Sequence, residues 1–156
     1  MSKSRPLADP ELAGVRVAVV RARWNDEITA ELARGAAEAA RTARAEVERY
    51  EVDGAFELPA AVATLARTGR YDAVVPVGCL VRGETPHFDV LANAVSRALI
   101  GLSTGERCAI TFGVLTCDTI EQARARAGGA EGNKGAEAMA AALGLVALRR
   151  RVEGSG

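Results

Sequence analysis

Histidine is almost missing from this chain: His87 is the only one among 156 residues. Aromatics are scarce as well, limited to Trp24, Tyr50, Phe56, Tyr71, Phe88 and Phe112, so their positions carry information. The three cysteines, Cys79, Cys108 and Cys117, are odd in number and show no CxxC spacing. That argues against a disulfide framework or a zinc site and predicts reduced thiols in the cytoplasm. No apolar run approaches a membrane span. The opening stretch MSKSRPLADPELAG lacks the apolar core of a secretory signal. Neither a GxxxxGK[ST] loop nor a GxGxxG after a strand occurs, which speaks against a nucleotide site. Lys plus Arg and Asp plus Glu number 20 each, so the net charge is zero. The basic face that nucleic acid requires is therefore missing. The one basic run, Arg149 to Arg151, reads as a solvated helix end favoured by the helix dipole.

What is present alternates. VRVAVVRA (Val15 to Ala22) is a β-branched strand, and Asn25 then caps a helix on which Ile28, Leu32 and Ala36 recur at helical spacing. EVERYEV is a weaker strand, followed by a turn and a helix that starts at Pro59 and stops at Gly69. YDAVVPVGCLV is the most apolar strand and reads as central in the sheet. Thr85 and Pro86 open the next helix, ERCAITFGVLT supplies a fourth strand, and Asp118 with Glu121 forms a capping-box pattern. The Gly-rich RAGGAEGNKG reads as a turn between helices, and the last helix carries Met139, Leu143 and Val146 on one stripe. The length suits one domain, 15–151, between an N-terminal arm, 1–14, and a flexible tail or linker, 152–156. Such β-α alternation predicts an α/β fold: a flavodoxin-like three-layer αβα sandwich over a four-stranded parallel sheet of order 2-1-3-4.

Ligands of open parallel sheets bind beyond the C-terminal strand ends. Trp24 follows strand one; Phe56 and Glu57 follow strand two; Arg82, Glu84, Thr85 and His87 follow strand three; Phe112 lies in strand four, with Arg126 beyond it. RGETPHF is also a helix start, whose free N–H groups attract phosphate or carboxylate. Thr85 adds a hydroxyl, and His87 falls in the first turn beside that anion, placed for general acid/base work. Arg126 and Lys134 in the Gly-rich segment would be ordinary solvated charges in isolation; beside an anion, the arginine fork suits a phosphate.

The stretches GAFELP, YDAVVPVGCLVRGETPHFD, FGVLTCDTIEQA and RAGGAEGNKG, in that order and spacing, resemble the 6,7-dimethyl-8-ribityllumazine synthases, with the similarity running from Val15 to Leu148. The resemblance implies condensation of 5-amino-6-ribitylamino-pyrimidinedione with 3,4-dihydroxy-2-butanone 4-phosphate, with no metal or organic cofactor. It implies that Trp24 stacks on the pyrimidine, where relatives more often carry phenylalanine. Ala55, Phe56 and Glu57 would hold the ring and ribityl chain, Cys79, Leu80 and Val81 would read the ring through backbone groups, and Glu84 and Thr85 would bind phosphate. Glu84 departs from the small residue common there, so only its backbone N–H is expected to face the ligand. His87 would be the acid/base, with Phe112, Arg126 and Lys134 completing the site and Arg126 on the phosphate. The resemblance also implies a homo-pentamer with sites shared between neighbours, a closed icosahedral cage built from it, and riboflavin synthase as a partner. Two other functions fit the same pattern: a cage-forming scaffold with little activity, and the related archaeal-type riboflavin synthase.

Overall fold

The computed structural model describes residues 12–154. Most of the expected arm (1–11) and the last two residues of the tail lie outside them. The order is β1 (Arg16–Ala22), α1 (Asp26–Thr42), β2 (Glu46–Val52), a 3-10 turn (Ala55–Glu57), α2 (Leu58–Ala66), β3 (Ala73–Val81), α3 (His87–Gly105), β4 (Ala109–Ile110), β5 (Gly113–Cys117), α4 (Ile120–Arg126), β6 (Ala127–Gly129), β7 (Gly132–Asn133) and α5 (Lys134–Val152).

β1 pairs in parallel with β2 and β3, and β3 pairs in parallel with both β4 and β5. The order 2-1-3-4 therefore stands, with the fourth place divided between two short strands. Alternate residues of the central strands feed two cores, as a period of two demands. Val17, Val19, Val75 and Val77 face α1 and α5, packing with Leu32, Met139 and Leu143. Val20, Val74, Val114 and Leu80 face α2 and α3, packing with Leu58, Val62 and Leu99. Helices on both faces complete the three-layer sandwich. Leu12 and Val15 belong to the first core, and among the described residues no helix is long and apolar enough to cross a membrane.

Four local features differ from the sequence reading. The fourth strand breaks at Thr111 and Phe112, although the register on either side is the same: Val74 faces Ile110 and Val77 faces Gly113. The gap lies opposite Pro76, which brings no N–H to the ladder. The α4 capping box is shifted by one residue: Thr119 Oγ1 accepts from Gln122 N at 3.2 Å, and Gln122 Oε1 accepts from Thr119 N at 3.3 Å. Asp118 is thereby left free to pair with Arg82. Pro59 occupies the first turn of α2 behind Leu58, so the helix starts one residue early. The Gly-rich segment is a small antiparallel hairpin, β6–β7, rather than a plain turn between helices. Its chain reversal uses Gly128 and Gly132 at φ 100° and 82°, values that glycine adopts without penalty.

Candidate active site

Beyond the C-terminal ends of β1, β2 and β3 lies a cleft of about 500 Å³. Its walls include Trp24, Ala55, Phe56, Glu57, Cys79, Leu80, Val81, Thr85 and His87, nine of the predicted site residues, together with Asn25, Asp53, Gly83, Phe88 and Leu91. Trp24 and Phe56 stand 72% and 70% exposed. Two large rings left open at one cleft are costly unless something covers them, because each buries on the order of 150–250 Å² when packed.

Backbone contacts fix the rings. Arg23 N donates to Val52 O at 2.9 Å and Trp24 N to Asp53 O at 3.1 Å, which carries the β1–β2 ladder past the strand ends. An Arg23–Asp53 ion pair closes the same edge. Asn25 then turns the chain into α1 from the left-handed region (φ 61°), a conformation asparagine tolerates better than most residues. Its side chain does not cap the helix as the sequence suggested; Nδ2 donates instead to Cys79 O at 2.9 Å, tying the β1 end to β3. Glu57 Oε1 accepts from Gly54 N at 3.0 Å, and Glu57 lines the cleft wall.

His87 is the first residue of α3, within its first turn, and Pro86 holds the cap position. Thr85 does not cap through its side chain; His87 N donates to Thr85 Oγ1 at 3.4 Å. Arg82 braces this corner. Its Nε donates to Asp118 at 2.8 Å, its guanidinium reaches Asp89 at 3.0 Å, and it lies 4.6 Å from the centre of the Phe88 ring. The hydrogen bond to Asp118, followed by that to Asp89, raises its pKa above the ordinary arginine value. Glu84 is exposed and absent from the cleft wall between Gly83 and Thr85.

Cys79 turns its thiol away from the cleft into the core under α1 and α5. Burial, reinforced by Cys117, pushes it up to about 12. A thiol so held is protonated at neutral pH and is no nucleophile.

Phe112, Arg126 and Lys134 are not here. They line a second concavity of about 420 Å³ with Val114, Thr116 and Glu131, and the two linings share no residue. Arg126 is exposed and rests its guanidinium on Gln122 O at 3.0 Å. Sequence reasoning missed the cleft positions Asn25, Asp53, Phe88 and Leu91. Asn25 carried the one usable signal, an asparagine directly before a helix, but that signal points to a cap and not to a bridge.

The model of the family described as 6,7-dimethyl-8-ribityllumazine synthase matches residues 14–150. A protein of that name from Methylobacterium radiotolerans is 50% identical over 147 residues, covering 94% of this chain and 90% of its own length. One from Corynebacterium efficiens is 49% identical over 146 residues, covering 92% and 90%. One from Methylorubrum populi is 47% identical over 144 residues, covering 89% and 85%. With a family match from one end of the sandwich to the other and relatives of near-equal length at about half identity, this chain belongs to the 6,7-dimethyl-8-ribityllumazine synthase family.

Proposed function

We propose that this chain condenses 5-amino-6-ribitylamino-pyrimidinedione with 3,4-dihydroxy-2-butanone 4-phosphate to 6,7-dimethyl-8-ribityllumazine, releasing phosphate and water, at sites shared by neighbouring subunits. One observation carries the reading: the open rings and the histidine occupy one cleft, while the cations a phosphate needs lie on another surface of the same chain. Trp24 and Phe56 sandwich the flat pyrimidine, and Glu57 accepts ribityl hydroxyls. Backbone groups of Ala55 and of Cys79 to Val81 fix the ring edge. Thr85 and the backbone N–H of Glu84 face the phosphate, joined by Arg126 from the adjacent subunit, with its Phe112 and Lys134 closing the site. The primary amine adds to the ketone carbonyl and water leaves as the imine forms. The phosphate departs with the C–O electron pair, and the second amine closes the ring with loss of another water. His87 moves the protons these steps require. No oxidant is consumed.

A head-to-tail ring joins unlike surfaces of adjacent chains. Val90 and Ile100 on α3 stay 67% and 64% exposed. An apolar groove of about 450 Å³ runs from Ile100 to Ile110, Phe112 and Ala141. These surfaces support a contact between subunits; that the contact builds a cyclic pentamer and a closed cage, in a cytoplasmic enzyme, is what the family resemblance adds to the reading.

Mixing the two precursors with the protein is expected to yield the lumazine, read by its absorbance; no product above the uncatalysed rate overturns the assignment. The shared site has its own test. His87→Ala and Arg126→Ala chains are mixed equally, unfolded and reassembled. A site works when its His-bearing chain carries the arginine mutation and its neighbour the histidine mutation, so about one half times one half, roughly a quarter, of the sites recover. Mixed rings, verified by mass spectrometry, that are no more active than the separate variants would rule out sharing.

A further inference from the structure

Arg126 and Lys134 flank a single backbone pair. Arg126 directly precedes Ala127, Lys134 directly follows Asn133, and Ala127 faces Asn133 in the β6–β7 ladder. A two-stranded hairpin this short has no stability of its own. Its geometry must come from what it is fastened to.

Asn133 is that fastening. Its Nδ2 donates to Glu31 O in α1 at 2.9 Å, a contact across 102 residues of sequence, and its Oδ1 accepts from Ala136 N at 3.0 Å. The amide sits in a socket: a Cβ at Gly35 would lie 2.4–2.5 Å from its atoms, so only glycine leaves room there. An ordinary helix cap needs only the Oδ1 contact. The Nδ2 arm and the socket are additional, and both act on α1. Asn133 is absent from the lining of the second concavity, so it acts through the residues beside it.

We propose that Asn133 is a positioning residue: by clasping the hairpin to α1 in the Gly35 socket, it sets where Arg126 and Lys134 stand. The clasp explains how two cations from different elements keep one spacing on an exposed surface. This rests on the reading of Arg126 as the phosphate-binding residue.

The test uses the assembled enzyme, with each substrate varied in turn. Asn133→Ser keeps a capping oxygen but loses the arm to Glu31. Gly35→Ala fills the socket and alters no residue of the site. Both are expected to raise KM for the phosphate-bearing substrate by roughly tenfold, the scale of one lost hydrogen bond to a charged group. KM for the pyrimidine should not change. A purely structural defect lowers the active fraction, and so kcat, and moves neither KM. In an Asn133→Ala background the socket is empty, so Gly35→Ala should add no further loss. Arg126→Ala separates the two ideas. If it leaves KM for that substrate and the affinity for inorganic phosphate unmoved, the phosphate assignment itself falls. If it raises them while Asn133→Ser and Gly35→Ala do not, or if those two move both KM values equally, the clasp is overturned. Should Gly35→Ala fail to assemble, Asn133→Ser decides alone.

Discussion

His87→Ala is expected to lower turnover by about two to four powers of ten, the usual contribution of a positioned general acid or base. The imidazole is exposed at the start of α3 and lines the cleft. The corner that carries it is held by other groups: Arg82 grips Asp118 and Asp89 and covers Phe88. Removing the ring therefore leaves the scaffold in place, and stability should stay within about 0.5 kcal/mol, as for other surface substitutions. Binding and orientation by the rest of the cleft should leave measurable activity. No neighbouring thiol substitutes for the histidine, because burial keeps Cys79 protonated. Turnover measured from pH 6 to 8, alongside thermal unfolding, checks the role. Unchanged turnover across that range removes it, and a rate loss matched by a lost transition assigns the effect to folding.

Gly135→Ala is expected to destabilise the fold by more than about 2 kcal/mol, although glycine to alanine within a helix ordinarily gains about 0.8–1 kcal/mol. The sign reverses because of what the new atom meets. A Cβ at Gly135 would lie 2.0 Å from Leu32 O and 2.7 Å from Leu32 C. These are backbone atoms of α1, so no rotamer change relieves the clash. α1 and α5 would have to separate, opening the core that holds Leu32, Met139 and Leu143. Gly144 in the same helix is the control: it is exposed, and its added Cβ meets nothing within 4 Å. Gly144→Ala should therefore show the ordinary gain of up to about 1 kcal/mol. Urea unfolding at matched protein concentration compares the two, since assembly makes apparent stability concentration-dependent. Shifts of the same sign for both variants would refute the packing argument.

Local patterning in the sequence determined the elements and their order. Ile28, Leu32 and Ala36 mark the buried face of α1, and Met139, Leu143 and Val146 that of α5. Helical periodicity places residues on a face whatever the helix packs against. The β-α alternation then limits the topology to few choices, and it also gathers Trp24, Phe56 and His87 at one strand-end edge. Those statements need only local periods and the handedness of the chain.

Only the tertiary structure decided the features that depend on contacts across long stretches of sequence. The fourth strand looks continuous from 106 to 116, and its break at Phe112 comes from Pro76 in the neighbouring strand. Asp118 looks like a cap, but Arg82 takes it for an ion pair, and Thr119 caps instead. Asn25 looks like a cap and does not act as one through its side chain, whereas Asn133 caps α5 and does more. Their Nδ2 groups reach Cys79 O and Glu31 O, 54 and 102 residues away, and asparagine has both a donor and an acceptor to spend. The family resemblance already implies a site shared between neighbouring chains; the structure shows that its residues line two concavities of one chain with no residue in common. Phe112, Arg126 and Lys134 follow the same sheet edge in sequence, but they line a concavity other than the cleft that His87 lines. A sequence period fixes which face a side chain takes on its own element. Where that element's end points is set by what it packs against.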